Sequence, residues 1–254
     1  MSYTIHSTCL PALNVQVITL PSQVLYKALG SVIFSTSVYN ASINCVNFKT
    51  SSDSLILTSA DDHRCTRLVI PHACSDDMEF NLRLSSCKAL YKALKTDKRD
   101  VSISVSEFSF QADYGNSSFL GDLIDHQYPN YGVDNLIKME RPTQITVDRK
   151  ALIKVLNKLN KYVNDEKFLI VDVDLKDDGA IFYAHNNTLI FSKMGVVKGP
   201  EVFFRINSLQ VLQALKVMTS DVVDIYADKS LTPIMIRDEM LNFTHIITTI
   251  YVKD

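Results

Sequence analysis

The stretch VQVITLPSQVLYKAL, residues 15–29, is the first copy of a layout that decides the fold of this chain. Its first apolar side chains alternate, as in a half-buried strand, and its later ones recur at helical spacing. The same layout returns in three further segments, MEFNLRLSSCKALYKAL (78–94), TQITVDRKALIKVL (143–156) and EVFFRINSLQVLQAL (201–215). Strand-like runs follow each helix, so the sequence predicts a β-α-β-β-β unit that occurs four times.

Residues that begin helices separate the strand from the helix in each copy. They are Pro21 and Ser22, Ser85 and Ser86, Asp148, and Asn207. The first apolar helix positions align at Leu25, Leu90, Leu152 and Val211. Two such units can share a core that one unit alone could not bury. With a polar boundary at GVDNLIKMERP (132–142), the sequence predicts an α+β fold of two domains, 1–134 and 135–254, each of two units.

Composition narrows the function classes. The 254 residues are 46% hydrophobic and carry a net charge of −2, so any nucleic-acid contact must come from clustered charge. No GxGxxG or GxSxG motif is present, which excludes a dinucleotide loop and a nucleophile elbow. The five cysteines never form CxxC and predict reduced, packed thiols. Without a signal-peptide pattern or a long apolar run, we expect a cytoplasmic or nuclear protein.

Basic side chains collect on the outward faces of the predicted helices. In the third helix, Leu152, Val155 and Leu156 form one face and lysines cover the opposite face. Lysine recurs at one aligned position in three helices, and Gln213 holds that position in the fourth. The residues predicted to contact DNA on or beside these faces are Lys27, Lys88, Lys92, Lys95, Lys98, Arg99, Arg149, Lys150, Lys154, Lys158, Lys161, Gln213 and Lys216.

A solvated surface would explain one lysine-rich helix, since lysine is a good helix former. These faces, however, carry almost no acidic partners at i+4, which a helix stabilised by salt bridges would have. We interpret them as one concave surface that attracts phosphates without reading bases. Aromatic residues that could stack on single-stranded bases are scarce, since only Tyr26, Tyr91 and Tyr162 flank the lysines. The predicted ligand is therefore the backbone of duplex DNA.

Three further segments carry a resemblance to a known family. SADDHRC (59–65) and LIDHQYPNY (123–131) stand in the order of the TDGHRLA-like and IDGxFPDY-like segments of the bacterial DNA polymerase III beta subunit, the sliding clamp. FTHIITTIYVKD (243–254) is similar to the closing strand and tail of that family. The chain resembles the family over essentially its whole length, matched to the second and third of the family's three domains.

The resemblance implies a clamp fold with helices lining the inside and sheets outside. It also implies that the DDHR turn is not catalytic but belongs to a hydrophobic pocket for short linear motifs of polymerases and other replication proteins. Asp62, Ala60 and Cys65 replace a glycine, a threonine and a leucine of the family, which makes the pocket more acidic or less apolar. Carried over by position, the pocket residues are Ile43, Ala60, Asp62, His63, Arg64, Cys65, Pro129, Val133, Ile246, Thr248 and Ile250.

The function that the resemblance implies is that of a DNA sliding clamp, a non-enzymatic processivity factor without a cofactor. In the family, three-domain subunits form a six-domain ring as dimers, so two domains per chain predict a homotrimer. Expected partners are duplex DNA, held by sequence-independent phosphate contacts, and a DNA polymerase; the need for a clamp loader stays open. The expected location is the cytoplasm of a bacterium or of a phage-infected cell.

Two alternatives remain beside the ring. One is a monomeric or dimeric clamp-like accessory factor that binds DNA directly through its basic face. The other is a metal-dependent enzyme, because His63 and Cys65, and His72 and Cys74, form two HxC pairs that could reach one ion from a strand. A hydrolase using Cys65 or Cys74 with His63 is less well supported, since no glycine-rich turn adjoins either cysteine to supply oxyanion amides.

Overall fold

The computed structural model describes residues 16–72, 77–106, 109–163, 169–184 and 191–251. Its α-helices are α1 (Ser22–Val32), α2 (Leu84–Leu94), α3 (Asn130–Lys138), α4 (Arg149–Leu159) and α5 (Ser208–Val217). Its strands are β1 (Gln16–Pro21), β2 (Cys45–Ser51), β3 (Ser54–Ala60), β4 (Arg64–Pro71), β5 (Glu79–Arg83), β6 (Asp100–Val105), β7 (Phe110–Tyr114), β8 (Ser117–Gly121), β9 (Thr143–Asp148), β10 (Ile170–Lys176), β11 (Gly179–Ala184), β12 (Phe191–Met194), β13 (Val196–Lys198), β14 (Val202–Asn207), β15 (Val222–Ala227), β16 (Ile234–Asp238) and β17 (Phe243–Ile247).

The order of elements follows the predicted unit in all four copies. The units are β1-α1-β2-β3-β4, β5-α2-β6-β7-β8, β9-α4-β10-β11-β12 and β14-α5-β15-β16-β17, and β13 is a short strand between the third and fourth. The prediction of an α+β fold built from repeated β-α-β-β-β units is therefore confirmed.

Within each half of the chain, the two units exchange their first strands. β1 joins β6-β7-β8, and β5 joins β2-β3-β4. The second half repeats the exchange, since β14 joins β10-β11-β12 and β9 joins β15-β16-β17. Because each sheet needs a strand from the neighbouring unit, two units must fold together around one core.

The two halves are joined by the antiparallel pairing of β4 with β17. The pairing runs from Leu68 opposite Phe243 to Arg64 opposite Ile247. It merges two sheets into one of nine strands, in the order β13-β9-β15-β16-β17-β4-β3-β2-β5. The other two sheets have four strands each, and each has the last strand of a unit, β8 or β12, at one edge.

Four helices pack along one face of the sheets in the order α2-α1-α5-α4. α1 contacts α2 and α5, and α4 contacts α5. The aligned positions Leu25, Leu90, Leu152 and Val211 are all buried, as the repeat predicts. They contribute to a continuous apolar core that includes both halves. No helix in the described ranges is long and apolar enough to span a membrane.

The helix starts agree only in part with the sequence prediction. Asp148 caps α4 by accepting a hydrogen bond from the amide of Ala151 at 2.6 Å, and Asn207 caps α5 in the same way. The predicted serine caps of α1 and α2 are wrong, since neither helix has a side-chain cap. The hydroxyl of Ser22 instead donates to the carbonyl of Asp97 at 2.9 Å and ties the helix start to the loop after α2.

The segment 132–142 is not a polar linker, because α3 occupies most of it. In β4, Arg67 and Leu68 are adjacent, so their side chains lie on opposite faces of the sheet. Leu68 belongs to the core shared with the other helices, whereas Arg67 pairs with Asp134 of α3 at 2.6 Å. α3 therefore lies on the face of the nine-stranded sheet opposite the other helices. The predicted boundary after residue 134 falls inside α3, and the division into two domains stays a prediction.

A buried histidine lies at the junction of the halves. His245 of β17 is opposite Thr66 of β4, and its Nδ1 lies 2.7 Å from the Thr66 hydroxyl. That hydroxyl accepts from Ser35, which also bonds Ser59 at 2.6 Å. Burial, together with the positive charge of Arg64, lowers the pKa of His245 to about 3. The imidazole is therefore neutral in the folded chain near neutral pH.

We expect the free energy of unfolding to fall as the pH decreases from about 6.5 toward 3. In this window the unfolded chain protonates His245 and the folded chain does not, so this residue contributes a slope of about 1.4 kcal/mol per pH unit. In the His245→Asn variant that part of the slope should disappear. Urea unfolding between pH 4 and 7 measures it.

The matched control is His126→Asn, which makes the same replacement at an exposed position before α3. The asparagine variant will also be less stable at pH 7, since it loses part of a buried ring. Only the pH dependence therefore tests the prediction. Equal slopes for His245→Asn and the unaltered chain would contradict it.

Candidate functional site

The lysines predicted to contact DNA are all exposed. Seven of them lie on α1, α2, α4 and α5, whereas Lys95 and Lys98 follow α2 and Lys161 follows α4. Lys150 forms an ion pair of 3.3 Å with the exposed Asp221. The other nine have no ion pair with a carboxylate of the described residues; they are Lys27, Lys88, Lys92, Lys95, Lys98, Lys154, Lys158, Lys161 and Lys216.

Three other residues of the predicted set are bound within the chain. Arg99 pairs with Asp97 at 2.5 Å, and its hydrogen bonds hold the pKa of Asp97 below its usual value. Arg149 donates to the carbonyls of Ser220 and Leu215, at 2.6 and 3.0 Å, so its guanidinium binds backbone carbonyls in and after the last turn of α5. The amide oxygen of Gln213 accepts a hydrogen bond from Arg64. The lysines are thus the cations most free to reach a ligand.

The lysines of α4 line a groove of about 720 Å³. Lys150, Lys154, Lys158 and Lys161 contribute to its walls, and Asn157 adds a neutral polar group. The charged groups of such a surface are ammonium point charges on flexible stems, which bind phosphates without bidentate recognition of a base. It can hold phosphates regardless of sequence.

Two of the tyrosines beside the lysines bind each other. The rings of Tyr26 and Tyr91 stack with centroids 4.5 Å apart and planes 4° from parallel. Their hydroxyls lie 3.1 Å apart in a hydrogen bond between α1 and α2. Neither ring has a free face on that side for stacking on a base.

A second site lies at the edge of the junction between β4 and β17. It is a pocket of about 240 Å³ between the turn after β3, one face of α3 and the end of β17. Nine of the eleven residues predicted for the pocket line it: Ala60, Asp62, His63, Arg64, Cys65, Pro129, Val133, Ile246 and Thr248.

The other two predicted residues lie outside the lining. Ile43 is buried in the small apolar cluster behind the pocket, with Cys65 and Val133. Ile250 follows β17, and its amide donates to the carbonyl of Arg205 of β14 at 2.9 Å. Ile43 therefore supports the pocket from behind, and the backbone of Ile250 pairs with the second half.

Sequence reasoning missed four lining residues. Gly132 and Leu136 belong to α3, where they share one helix face with Pro129 and Val133. Pro233 precedes β16, and Asp61 begins the turn. The spacing 129, 132, 133, 136 would have revealed the helical face if the segment had not been interpreted as a linker.

The turn from Asp61 to Arg64 is held by one carboxylate and one guanidinium. Asp61 accepts from the amides of His63 and Arg64 at 2.9 and 3.0 Å, and from Arg64 Nε at 2.8 Å. Arg64 also donates to the carbonyl of Phe34 at 2.7 Å and to Gln213 of α5. The carbonyl of His63 accepts from the amide of Thr248 at 2.8 Å. Both strands of the junction therefore fix the pocket wall.

The cysteine in the pocket is a poor nucleophile. Burial raises the pKa of Cys65 to about 11, so the thiol is protonated near neutral pH. Among the described residues, no group of three or more His, Cys, Asp or Glu side chains is placed to hold a metal ion. Cys74, one member of the HxC pairs, lies outside the described residues.

Comparisons with known proteins point to one family. Residues 19–130 match the family model described as the DNA polymerase III beta subunit, central domain. The beta sliding clamp of Halalkalibacterium halodurans is 24% identical over 235 residues, which are 87% of this chain and 60% of the relative. That of Borreliella burgdorferi is 24% identical over 229 residues, or 87% of this chain and 59% of the relative. The chain thus spans about 60% of the length of these relatives.

Solved structures of the same family share the fold. The DNA polymerase III beta subunit of Thermotoga maritima matches with a TM-score of 0.87 at 15% identity, over 100% of this chain and 70% of its own. The DNA polymerase sliding clamp of Bacillus subtilis matches with a TM-score of 0.85 at 19% identity, over 98% of this chain and 67% of its own. The fold is that of a DNA clamp. The family model, the relatives and this fold together indicate a member of the DNA polymerase III beta sliding clamp family.

Proposed function

We propose that this chain is a DNA sliding clamp, a processivity factor that encircles duplex DNA and tethers a DNA polymerase to it. The observation that carries the proposal is the row of four helices whose exposed lysines, with one exception, lack a carboxylate partner among the described residues. In a chain with a net charge of −2, this row concentrates positive charge on one face. The proposed role is non-enzymatic, uses no cofactor and belongs to the cytoplasm.

The chemistry of the lysine row suits sliding better than tight binding. Flexible ammonium groups contact phosphates as point charges and read no base edges, so neighbouring positions along a duplex bind equally well. A ring that encircles the duplex needs only weak individual contacts, because topology keeps it in place. The stacked pair of Tyr26 and Tyr91 leaves little aromatic surface for single strands.

A closed ring forms if neighbouring copies of the chain pair two edge strands in the way that β4 and β17 pair within one chain. β4 and β17, the last strands of the first and fourth units, pair with each other. β8 and β12, the last strands of the second and third units, lie at the edges of their sheets. We infer that β8 of one copy pairs with β12 of the next, head to tail. A ring of six halves then needs three copies of the 28.6 kDa chain, about 86 kDa.

Light scattering across a concentration series should give a mass near 86 kDa for the 254-residue chain, and Leu120→Lys should lower it toward 28.6 kDa. Leu120 is 71% exposed on β8, and a lysine on an edge strand opposes pairing with another chain. The control is Val17→Lys on β1, at the opposite edge of the same sheet, which should keep the larger mass. A Leu120→Lys chain that assembles normally would place the contact elsewhere.

The double variant Lys154→Glu, Lys158→Glu should bind linear duplex at least about tenfold more weakly at low salt, with a salt slope reduced by about two. Both lysines line the groove on α4 and have no ion pair within the described residues. The control is Lys138→Glu, Lys229→Glu, which changes the charge equally at two exposed lysines, on α3 and after β15, that lie outside the four helices of the row and have no ion pair within the described residues. Fluorescence anisotropy measures both. Equal losses in the two variants would show that net charge, and not this surface, attracts the DNA.

The pocket is proposed as the polymerase docking site, for a short peptide with an apolar anchor. A Cβ at Gly132 would meet no atom within 4 Å, so a side chain can leave the backbone there without a clash at its first atom. Gly132→Phe should fill the pocket and weaken peptide binding at least about tenfold. Isothermal titration calorimetry with a peptide that carries an apolar anchor residue measures the loss of affinity, and a pull-down of the polymerase tests the same contact.

Two variants serve as controls for the pocket. Asn135→Phe adds the same ring to an exposed position of α3 outside the lining and should leave binding intact. Gly132→Ala should stabilise the fold by about 0.5–1 kcal/mol, because alanine favours the helix. Peptide binding that survives Gly132→Phe would place the docking site elsewhere.

The alternative of an open accessory factor uses the same lysines without a closed ring. A measured mass of 28.6 kDa would favour it. The two also differ in their response to salt, since direct electrostatic binding collapses as salt rises. A ring loaded on closed circular duplex should stay bound until it opens.

A further inference from the structure

We propose that the pocket selects peptides that carry a lysine or arginine beside the apolar anchor, and that Asp62 makes this selection. The inference rests on the docking function proposed above and adds the chemistry of the partner. It comes from the charges around the pocket mouth, where the carboxylate of Asp62 has no partner within the described residues and each nearby arginine is already engaged.

The floor of the pocket accepts an apolar side chain. Cys65, Val133 and Ile246 are buried with exposures of 5%, 4% and 2%, and Leu136 and Pro233 complete the wall. A cavity of about 240 Å³ has room for one large aliphatic or aromatic side chain of a ligand. This floor carries no charge, so charge selection must occur at the mouth.

The first carboxylate of the turn is already neutralised. Asp61 accepts three hydrogen bonds, and its ion pair with Arg64 measures 2.8 Å. The remaining guanidinium nitrogens of Arg64 bind the carbonyl of Phe34 and the amide of Gln213. Neither member of the pair has a charge to offer a ligand.

The cations behind the pocket are also occupied. Arg67 pairs with Asp134 at 2.6 Å. Arg141 is buried and donates to the carbonyls of Leu136, Met139 and Pro233, with the negative charge of Asp228 nearby. Neither can neutralise a carboxylate at the mouth.

Asp62 is the charge that remains. Its side chain is exposed at the tip of the turn, lines the pocket, and has no hydrogen bond or ion pair to a described residue. A lysine or arginine next to the anchor of a docked peptide would lie within reach of it, whereas an acidic residue there would be repelled. Because an exposed ion pair is weak and screened by salt, the expected preference is about two- to fivefold at low salt.

Three labelled peptides with one anchor test the inference, with lysine, serine or glutamate beside the anchor. The full chain should bind the lysine peptide about two- to fivefold more tightly than the serine peptide, and the glutamate peptide most weakly. Asp62→Asn should remove the difference between lysine and serine, and Asp62→Lys should reverse the order. The control Asp125→Asn, exposed and outside the pocket lining, should keep the original order.

The outcomes separate this inference from the docking function. If all three peptides bind the unaltered chain equally and Gly132→Phe abolishes their binding, the pocket docks peptides but Asp62 does not select them. If the order persists in Asp62→Asn, another charge is responsible and the inference is overturned. If no peptide binds, both the inference and the proposed docking function fail.

Discussion

The antiparallel pairing of β4 with β17 is the contact on which the rest of the molecule depends. It makes one nine-stranded sheet from two halves that otherwise share few strand contacts. Because the sheet is continuous there, α1 of the first half contacts α5 of the second, and the helices form one row. At the end of the same pairing, the turn before Arg64 and the residues after Ile247 meet, which creates the pocket. The lysine row and the pocket thus have a single structural origin.

The register of this pairing is specified by polar as well as apolar residues. His245 and Thr66 lie directly opposite each other on the helix side, and Ile246 and Cys65 lie opposite each other on the pocket side. A slip of one residue would exchange the two faces and bury the imidazole against the apolar cluster under α3. A neutral buried histidine adds little stability, but it penalises every register in which it has no hydrogen-bond partner.

The repeat, the helix faces and most of the pocket could be predicted from the sequence because each depends on local periodicity or on a short motif. α3 was missed, since only Val133 of its nine residues is buried and its polar residues led the segment to be interpreted as a linker. The serine caps failed because Ser22 has a better partner in Asp97, 75 residues away. Likewise, no local pattern indicates that Gln213 binds Arg64, 149 residues away. Contacts between distant segments decide such side chains, and a single sequence does not display them.

The lysine row and the pocket lie on opposite sides of one sheet. The two surfaces can therefore carry opposite charges. The helix side carries nine lysines without carboxylate partners among the described residues, whereas the pocket mouth carries the exposed carboxylate of Asp62. Charges on opposite sides of a sheet and its helices are separated by more than a Debye length of about 8 Å at physiological salt, so exposed groups on one side scarcely affect the other. A net charge of −2 is therefore compatible with strong phosphate attraction on one side and a preference for basic peptides on the other. Arg64 contacts both sides, through Asp61 and through Gln213, but its charge is compensated by Asp61. Arg64 therefore joins the two sites through its hydrogen bonds, and its compensated charge contributes little to the electrostatic potential at either site.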